Sequence, residues 1–244
     1  MAVRLGGIQP VYLPWLGYFD QMQRVDVFVI ADEMPYSSSG WVHRNRIKGP
    51  NGPRWLTLPA RPQRGQAIDR VRLAAGIPWA RKHLTTLRHF YARGVDVEET
   101  LTALERVLNP TAQRVVEVSI PTIRFLAERL GIRTPILVSS ELGLEARYAQ
   151  RFPDRPGPTH RIVAYMEALG ATELLEGESG QAYFDVRLFE ACGFRVAFQR
   201  YVHPTYPQLH GPFLSHMSAL DALLAVGTER ARGVLACGRL RDAE

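Results

Sequence analysis

The sequence predicts an α/β fold in which a parallel β-sheet is flanked by helices, and two strand–helix–strand units lead to this prediction. Residues 3–31 and residues 173–199 each run from an apolar strand through a helix to a second strand. Such units with short connections make parallel strands with a right-handed crossover, and their ligands bind at the carboxyl ends of the strands. We therefore expect a Rossmann-like sheet.

The first unit has the clearest signals. Residues 3–8 form a short strand that must end at Gln9-Pro10, because proline cannot continue a central ladder. Residues 15–24 carry apolar side chains at helical spacing, and residues 25–31 contain a Val-Phe-Val-Ile run typical of a buried strand. Gln9 and Asp32 should therefore lie at the carboxyl edge of the sheet.

The rest of the chain is predicted as one domain, 1–244, with a helical insertion at about 78–130 and no second domain. Residues 34–64 are rich in Ser, Gly, Pro and basic residues and are predicted as a functional loop region around a strand at 55–58. The other predictions are helices at 78–91, 97–108, 110–130, 160–169, 183–192 and 215–226, and strands at 135–139, 173–176 and 195–199.

Composition limits the class of protein. With 244 residues, 46% of them hydrophobic, the chain can bury a sizeable core, and it lacks a membrane-span-length apolar run or an apolar signal-peptide core. We expect a cytoplasmic protein that does not enter a membrane. The two cysteines have no metal-ligand spacing, so neither a metal nor a cofactor is expected. A formal charge of +6 favours anionic partners such as phosphate-bearing small molecules, but no basic run is long enough for a disordered nucleic-acid-binding arm.

The segment 9–20 is the first candidate for a binding site. A helix that begins at the end of a strand presents free amides to an anion, and Gln9, Tyr12, Trp15 and Tyr18 would form the floor of the site. Nucleotidylyltransferases carry a similar Gly-x-x-Gln-Pro strand end, followed by His-x-Gly-His. Here aromatic residues replace both histidines, which removes the usual stabilising donors for phosphate transfer. The segment is therefore predicted as a binding platform, with a purely structural aromatic plug as the alternative.

The second candidate follows the second strand. Asparagine, arginine and lysine side chains would clamp a phosphate or carboxylate while a carboxylate meets an amine or hydroxyl, and two tryptophans, Trp41 and Trp55, favour a ligand-binding loop. The alternative is a solvated basic loop. The candidate binding residues are Asp32, Tyr36, Trp41, Asn45, Arg46 and Lys48.

The third candidate lies near the C-terminal end, where a strand leads into a loop with His203, Tyr206 and Gln208. His203 is a candidate general base because a histidine exchanges protons near neutral pH. Ser218 and Asp221 lie three residues apart on one helix and can reach a common partner, so we predict an Asp221–His203 hydrogen bond and a catalytic set of His203, Asp221 and Tyr206. The alternative is that Asp221 caps a loop and His203 packs on the adjacent proline.

A fourth segment is rich in glycine. Residues 176–180 read Glu-Gly-Glu-Ser-Gly, which lacks the spacing of a serine nucleophile elbow. We interpret it as a strand-to-helix turn in which Gly177, with Tyr183 beyond it, contacts a ligand.

Together these motifs resemble the WbqC-like protein family over nearly the whole chain, with a departure around residues 150–159. The motifs that carry the resemblance are Gln9-Pro10-x-Tyr12-Leu13-Pro14-Trp15-Leu16-Gly17-Tyr18-Phe19, Asn45-Arg46-Ile47-Lys48, Leu169-Gly170-Ala171 with Gly177, Gly180 and Tyr183, His203-Pro204-x-Tyr206-x-Gln208 and Ser218-x-x-Asp221-x-Leu223. The resemblance implies an accessory biosynthetic protein of surface polysaccharide or natural-product pathways.

The residues and the resemblance together favour a transferase that moves a small acyl or aminoacyl group onto an amine of a small molecule or nucleotide sugar. The donor would be anionic and activated, linked to a nucleotide, coenzyme A or tRNA. A tRNA-linked donor would also account for the basic surface. Two alternatives remain open: a nucleotidylyltransferase-like enzyme, and a non-catalytic accessory protein that binds a sugar or nucleotide.

Overall fold

The structure is a computed structural model that describes residues 2–239. The strands of this part of the chain are β1 (Arg4–Ile8), β2 (Val27–Ile30), β3 (Arg44–Gly49), β4 (Gly52–Thr57), β5 (Ala60–Arg61), β6 (Arg72–Leu73), β7 (Ile136–Val138), β8 (Glu173–Glu176) and β9 (Arg195–Phe198). Its helices are α1 (Leu16–Gln23), α2 (Trp79–Phe90), α3 (Val97–Val107), α4 (Val116–Arg129), α5 (Ser139–Leu142), α6 (Leu144–Arg151), α7 (Pro158–Leu169), α8 (Val186–Ala191), α9 (Ala219–Val226) and α10 (Thr228–Cys237).

The main sheet has five parallel strands in the order β7-β2-β1-β8-β9. Strand β1 lies at the centre, with Leu5 opposite Val27 on one side and Leu174 on the other. The chain extends the sheet outward from β1 first in one direction and then in the other. This reversal creates a crevice at the carboxyl ends of β1 and β8, where open α/β sheets bind their ligands. The predicted α/β fold with a Rossmann-like parallel sheet is confirmed.

Alternating side chains pack the two faces of this sheet into separate apolar clusters. Leu5, Val29 and Leu174 contact the cluster that contains residues of α6, α7 and α8. Phe28 and Leu175 point to the opposite face, whose cluster contains α1, the helices α2 to α4, and α9. The helical insertion thus completes the core on one face, while the ligand crevice stays open at the strand ends.

The region 34–64, predicted as loop around one strand, contains an antiparallel hairpin of β3 and β4. Pro50 and Asn51 form its turn, and Gly52, the first residue of β4, has a φ of +104°, a backbone conformation that glycine adopts readily. Arg46 pairs with Trp55 across the hairpin. The basic segment is therefore a strand, and the prediction of it as part of a loop was wrong.

Three predicted helices begin later than expected. The helix predicted at 110–130 starts at Val116, because the preceding residues form a turn in which Thr111 donates hydrogen bonds to the Asn109 side chain. The helix predicted at 183–192 starts at Val186 after the N-cap Asp185, and that predicted at 215–226 starts at Ala219 after the N-cap Ser218. Side-chain caps, rather than the start of an apolar pattern, set the last two boundaries.

Candidate functional site

Two cavities meet at the carboxyl ends of β1 and β8. The α7 cavity, of about 410 Å³, lies beside α7, and the α1 cavity, of about 480 Å³, lies beside the amino end of α1. Both volumes lie within the range of small-molecule sites. The residues that line both cavities are Ile8, Gln9, Gly177 and Ser179. Gln9 therefore lies at the carboxyl edge of the sheet, as predicted. Both Gln9 and Gly177 lie at the boundary between the two cavities.

Glu176 ends β8 in the wall of the α7 cavity and has the most chemically useful carboxylate of the crevice. Burial raises its pKa to about 7, although hydrogen bonds from the Gly177 amide and the Tyr183 hydroxyl act in the opposite direction. Both donors bond Oε1, at 3.1 and 3.3 Å. The other oxygen, Oε2, has no hydrogen-bond partner in the part of the chain that the structure describes. A carboxylate with a pKa near 7 can accept and release a proton at neutral pH.

Trp15 forms part of the α1 cavity as the N-cap of α1. Its indole lies over Gly17, where a Cβ atom would come within 2.1 Å of the ring, so only glycine fits there. The indole also stacks on His203 and contacts His216, with ring centroids 6.1 and 5.0 Å away. No side chain caps the first turn of α1, where the Tyr18 amide donates to the Trp15 carbonyl over 3.1 Å. Gly17 and Tyr18 of this turn line the cavity, which therefore borders the positive end of the α1 dipole.

Asn45 holds the turn that presents Trp15. Leu13 adopts a left-handed φ of 49°, and Asn45 Nδ2 donates to its carbonyl over 2.8 Å. Asn45 Oδ1 in turn accepts from the Arg46 amide over 2.8 Å. Because a left-handed leucine is strained by roughly 1–3 kcal/mol, these bonds fix a conformation that the chain would otherwise leave. Asn45 also lines the α1 cavity.

Gln199, at the end of β9, was not among the predicted site residues. Its Nε2 donates to the Gly17 carbonyl and to Asp20 Oδ2, both over 2.9 Å. Both donors are therefore used, and the amide offers Oε1 as an acceptor to the α1 cavity that it lines. Its position directly after a strand was the available signal, because the carboxyl ends of parallel strands meet at the crevice.

Tyr18 lines the α1 cavity and has a buried hydroxyl without a hydrogen-bond partner among residues 2–239. Tyr12 was predicted beside it as part of the binding floor. The structure instead buries Tyr12 completely and joins its hydroxyl to His83 Nδ1 over 3.0 Å. Tyr12 is thus part of the core, because its position in the turn directs the ring away from the crevice.

Asp32 and Tyr36 do not line either cavity. The Asp32 carboxylate accepts hydrogen bonds from the Ser139 hydroxyl and from the amide and hydroxyl of Ser140, at 2.7–3.0 Å. The Tyr36 hydroxyl bonds His43 Nδ1 over 2.8 Å. Both predicted binding residues have internal partners, so Asp32 fixes the start of α5 instead of meeting an amine.

Asp221 is the centre of a buried hydrogen-bond hub rather than a partner of His203. Its carboxylate accepts from the Tyr91 hydroxyl, from the Tyr206 hydroxyl over 2.7 Å and from Gln208 Nε2 over 2.8 Å, with the Lys48 amide at 3.4 Å. Burial raises the pKa of Asp221, while these donors lower it. The group is fully buried and has no access to the cavities.

Other predicted residues support this hub. Lys48 is buried, and its ammonium donates to the carbonyls of Gly211 and Pro212. Ser218 caps α9, since its hydroxyl accepts from the Leu220 amide over 3.2 Å. The prediction that Ser218 and Asp221 reach a common partner was wrong, and Lys48 is not a clamp for a ligand phosphate.

His203 is not paired with Asp221. Its Nδ1 lies 3.0 Å from the Pro204 carbonyl, as in the alternative interpretation, and its buried Nε2 has no partner within the described residues. Burial, together with the neighbouring His216, lowers its pKa to about 4. His203 is therefore neutral at pH 7 and stacks behind Trp15, whereas His216 lines the α1 cavity.

Two tryptophans and two arginines form a surface that we call the tryptophan rim, defined by Trp41, Arg44, Arg46 and Trp55. The two indole centroids lie 5.1 Å apart, and Arg46 lies over both rings at 5.1 and 5.8 Å. Arg44 lies 4.6 Å from the centroid of Trp55. Trp41 also lines the α1 cavity, so the rim is continuous with the crevice.

Residues 2–239 contain no group of three or more His, Cys, Asp or Glu side chains arranged to hold a metal ion. Cys192 and Cys237 are free and exposed. Within the same residues, every helix is too short or too polar to cross a bilayer.

Two comparisons with known proteins agree on the relationship of this chain. The model of the WbqC-like protein family matches residues 9–233. The uncharacterized protein Rv1507c of Mycobacterium tuberculosis is 32% identical over 227 residues, a stretch that covers 91% of this chain and 93% of that relative. The region matched by the family model includes the tryptophan rim, the hub and the cavity-lining residues other than those at 5–8 in β1.

Proposed function

The chain belongs to the WbqC-like protein family, and we propose that it is a transferase that moves a small acyl or aminoacyl group from an anionic activated donor onto an amine. The observation that carries the proposal is Glu176. Its pKa of about 7 and its free Oε2 suit it to accept a proton from an attacking amine. The two adjoining cavities provide separate places for donor and acceptor.

Glu176 is the one base that acyl transfer to an amine requires. The amine nitrogen attacks the acyl carbon of the donor, forming an N–C bond while the bond from that carbon to the leaving group breaks. Glu176 takes the proton that the nitrogen loses, and the leaving group departs with the bonding electrons. The positive end of the α1 dipole, which borders the α1 cavity, supports an anionic donor, and Gln199 Oε1 provides an acceptor for a hydrogen-bond donor on the substrate.

Glu176 replaces His203 as the proposed base. His203 is neutral at pH 7, but it lines neither cavity, and its lowered pKa makes it a weak base. Asp221 and Tyr206 are bonded to each other inside the hub, so they are positioning groups for the loop around His203.

Glu176→Gln tests the proposal, because it removes the base and keeps nearly the same shape. In a host whose own copy is replaced by the variant, we expect product of the pathway, measured by mass spectrometry, to fall as the rate drops roughly 10²–10⁴-fold. The matched control is Glu190→Gln, an exposed glutamate of α8 that lines neither cavity, which should keep most of the product. Full product from Glu176→Gln would contradict the transferase and favour a non-catalytic binding protein.

A pyrophosphate assay separates the nucleotidylyltransferase alternative. The purified protein incubated with each nucleoside triphosphate should release no pyrophosphate above the level of a boiled sample. Release that depends on His216, the histidine of the α1 cavity, would overturn acyl transfer in favour of nucleotidylyl transfer.

A further inference from the structure

The tryptophan rim has an unusual balance of exposed aromatic surface and unpaired positive charge. Trp41 and Trp55 are 40% and 41% exposed, although burial is the ordinary way for indoles to contribute to stability. Among the residues that the structure describes, neither Arg44 nor Arg46 has a carboxylate within salt-bridge distance. Arg44 donates to the Ser39 carbonyl, and the Nε atoms of both arginines are buried without a hydrogen-bond partner.

The tryptophan rim borders the α1 cavity. Trp41 and Asn45 line the α1 cavity, and Arg46 follows Asn45 on β3. Arg46 and Trp55 are directly paired across the hairpin, so the rim rests on a regular strand pair rather than on a loop. A ligand that extends out of the α1 cavity therefore meets indole surface and guanidinium groups together.

We propose that the tryptophan rim binds the nucleoside phosphate portion of a small nucleotide-linked donor, an inference that rests on the proposed transferase function. Indole faces stack on any nucleobase, and an unpaired guanidinium binds phosphate in a bidentate fork. The base lies on the exposed parts of Trp41 and Trp55, and Arg44 and Arg46 hold the phosphate. The activated group then points into the α1 cavity.

The rim favours a small nucleotide over a nucleic acid. It offers one pair of indoles and one pair of arginines, enough for one base with its phosphate. Long nucleic acids require a basic groove that follows many phosphates. Binding of RNA in place of mononucleotides is therefore an outcome that would contradict the proposal.

Isothermal titration calorimetry with AMP, adenosine and ribose 5-phosphate tests the proposal on the full-length protein. AMP should bind, and adenosine and ribose 5-phosphate should each bind at least about tenfold more weakly, because each lacks one of the two recognised groups. Trp55→Ala and Arg46→Ala should each weaken AMP binding by about tenfold or more, whereas Trp55→Phe, which keeps an aromatic face, should stay within about threefold. Arg54→Ala is the matched control, since Arg54 is an exposed arginine beside Trp55 that pairs with Ile47 across the hairpin.

Three results would overturn the proposal. AMP affinity that is unchanged in both Trp55→Ala and Arg46→Ala would place the nucleotide elsewhere. If ribose 5-phosphate binds as tightly as AMP, stacking of the base on the indoles contributes nothing to the affinity. Binding of a 12-nucleotide single-stranded RNA without AMP binding, lost steeply as salt is raised, would identify a nucleic-acid surface instead.

Different results would contradict the nucleotide site and the transferase function. Glu176→Gln should bind AMP as the wild type does, because Glu176 lines the α7 cavity and the rim borders the α1 cavity. Rim variants that keep AMP binding while Glu176→Gln abolishes product would reject only the nucleotide site. AMP binding that depends on the rim, together with full product from Glu176→Gln, would reject only the transferase.

Discussion

Two carboxylates of this protein, the fully buried Asp221 and the half-buried Glu176, show how differently the same chemical group can be used. Asp221 accepts hydrogen bonds from two tyrosines, a glutamine and a backbone amide, and is shut away from both cavities. Glu176 accepts two hydrogen bonds on a single oxygen and lines the α7 cavity. The closed, fully bonded carboxylate holds elements together, while the open one keeps a free oxygen for chemistry. A polar motif is therefore informative about function only after its internal partners are known.

The largest expected effect on stability comes from Asp221→Ala. The substitution leaves the Tyr91 and Tyr206 hydroxyls and the Gln208 amide buried without their acceptor, and each such group costs about 1–3 kcal/mol. We expect the free energy of unfolding, measured by urea denaturation, to fall by about 3–5 kcal/mol. Asp154→Ala, on an exposed loop, is the control and should change it little. A loss below about 1 kcal/mol would show that Asp221 is not a structural hub.

The next largest effect is on the pH dependence of the free energy of unfolding, through the ionisation of Glu176. A raised pKa means that the folded protein binds its proton more tightly than the unfolded chain, so this stabilising contribution is complete below pH 4.5 and is lost as the pH rises through about 7. This difference between the pKa of Glu176 in the folded and unfolded protein corresponds to about 3 kcal/mol in the free energy of unfolding. Glu176→Gln should remove that contribution to the pH dependence and be more stable than the wild type at pH 8 in denaturation experiments. Parallel stability curves for the two proteins from pH 4 to 8 would contradict the raised pKa.

The smallest effect tests how Glu176 is positioned. A Cβ atom on Gly180 would lie 2.4 Å from Glu176 Cγ, so Gly180→Ala must displace the carboxylate. We expect a loss of about 1–2 kcal/mol in the free energy of unfolding, with a pKa of Glu176 that returns toward its ordinary value as the group meets water. Gly177→Ala is the matched control, because its nearest neighbour would be Ser179 Oγ at 4.0 Å. Equal effects of the two substitutions would argue against a specific contact between Gly180 and Glu176.

The sequence predicted the sheet well because its signals are local. The apolar runs of β1 and β2 and the proline after Gln9 define a strand–helix–strand unit without reference to the rest of the chain. The strand β3 was missed because alternating Arg44, Arg46 and Lys48 look like a solvated segment. Their stems in fact pack beside tryptophans or enter the hub, which depends on residues far along the chain.

The site was predicted only in part, for the same physical reason. Gln9, Trp15, Tyr18, Trp41, Asn45, Gly177 and Tyr183 do line the crevice, since strand ends and helix starts can be read from sequence. The distinct role of Glu176 follows from its burial, which no local pattern reports. Likewise, nothing near Asp221 indicates that Tyr91 lies within hydrogen-bond reach.

The hub also has a consequence for biosynthesis of the protein. The bond between Tyr91 and Asp221 joins residues 130 positions apart, and that between the Lys48 amide and Asp221 joins residues 173 apart. The first hairpin and α2 therefore leave the ribosome long before the residues that complete their hydrogen bonds. Such non-local pairing slows folding and leaves partly assembled surfaces exposed. The hydrogen bonds of the amino-terminal half to the hub can therefore form only after α9 has been synthesised.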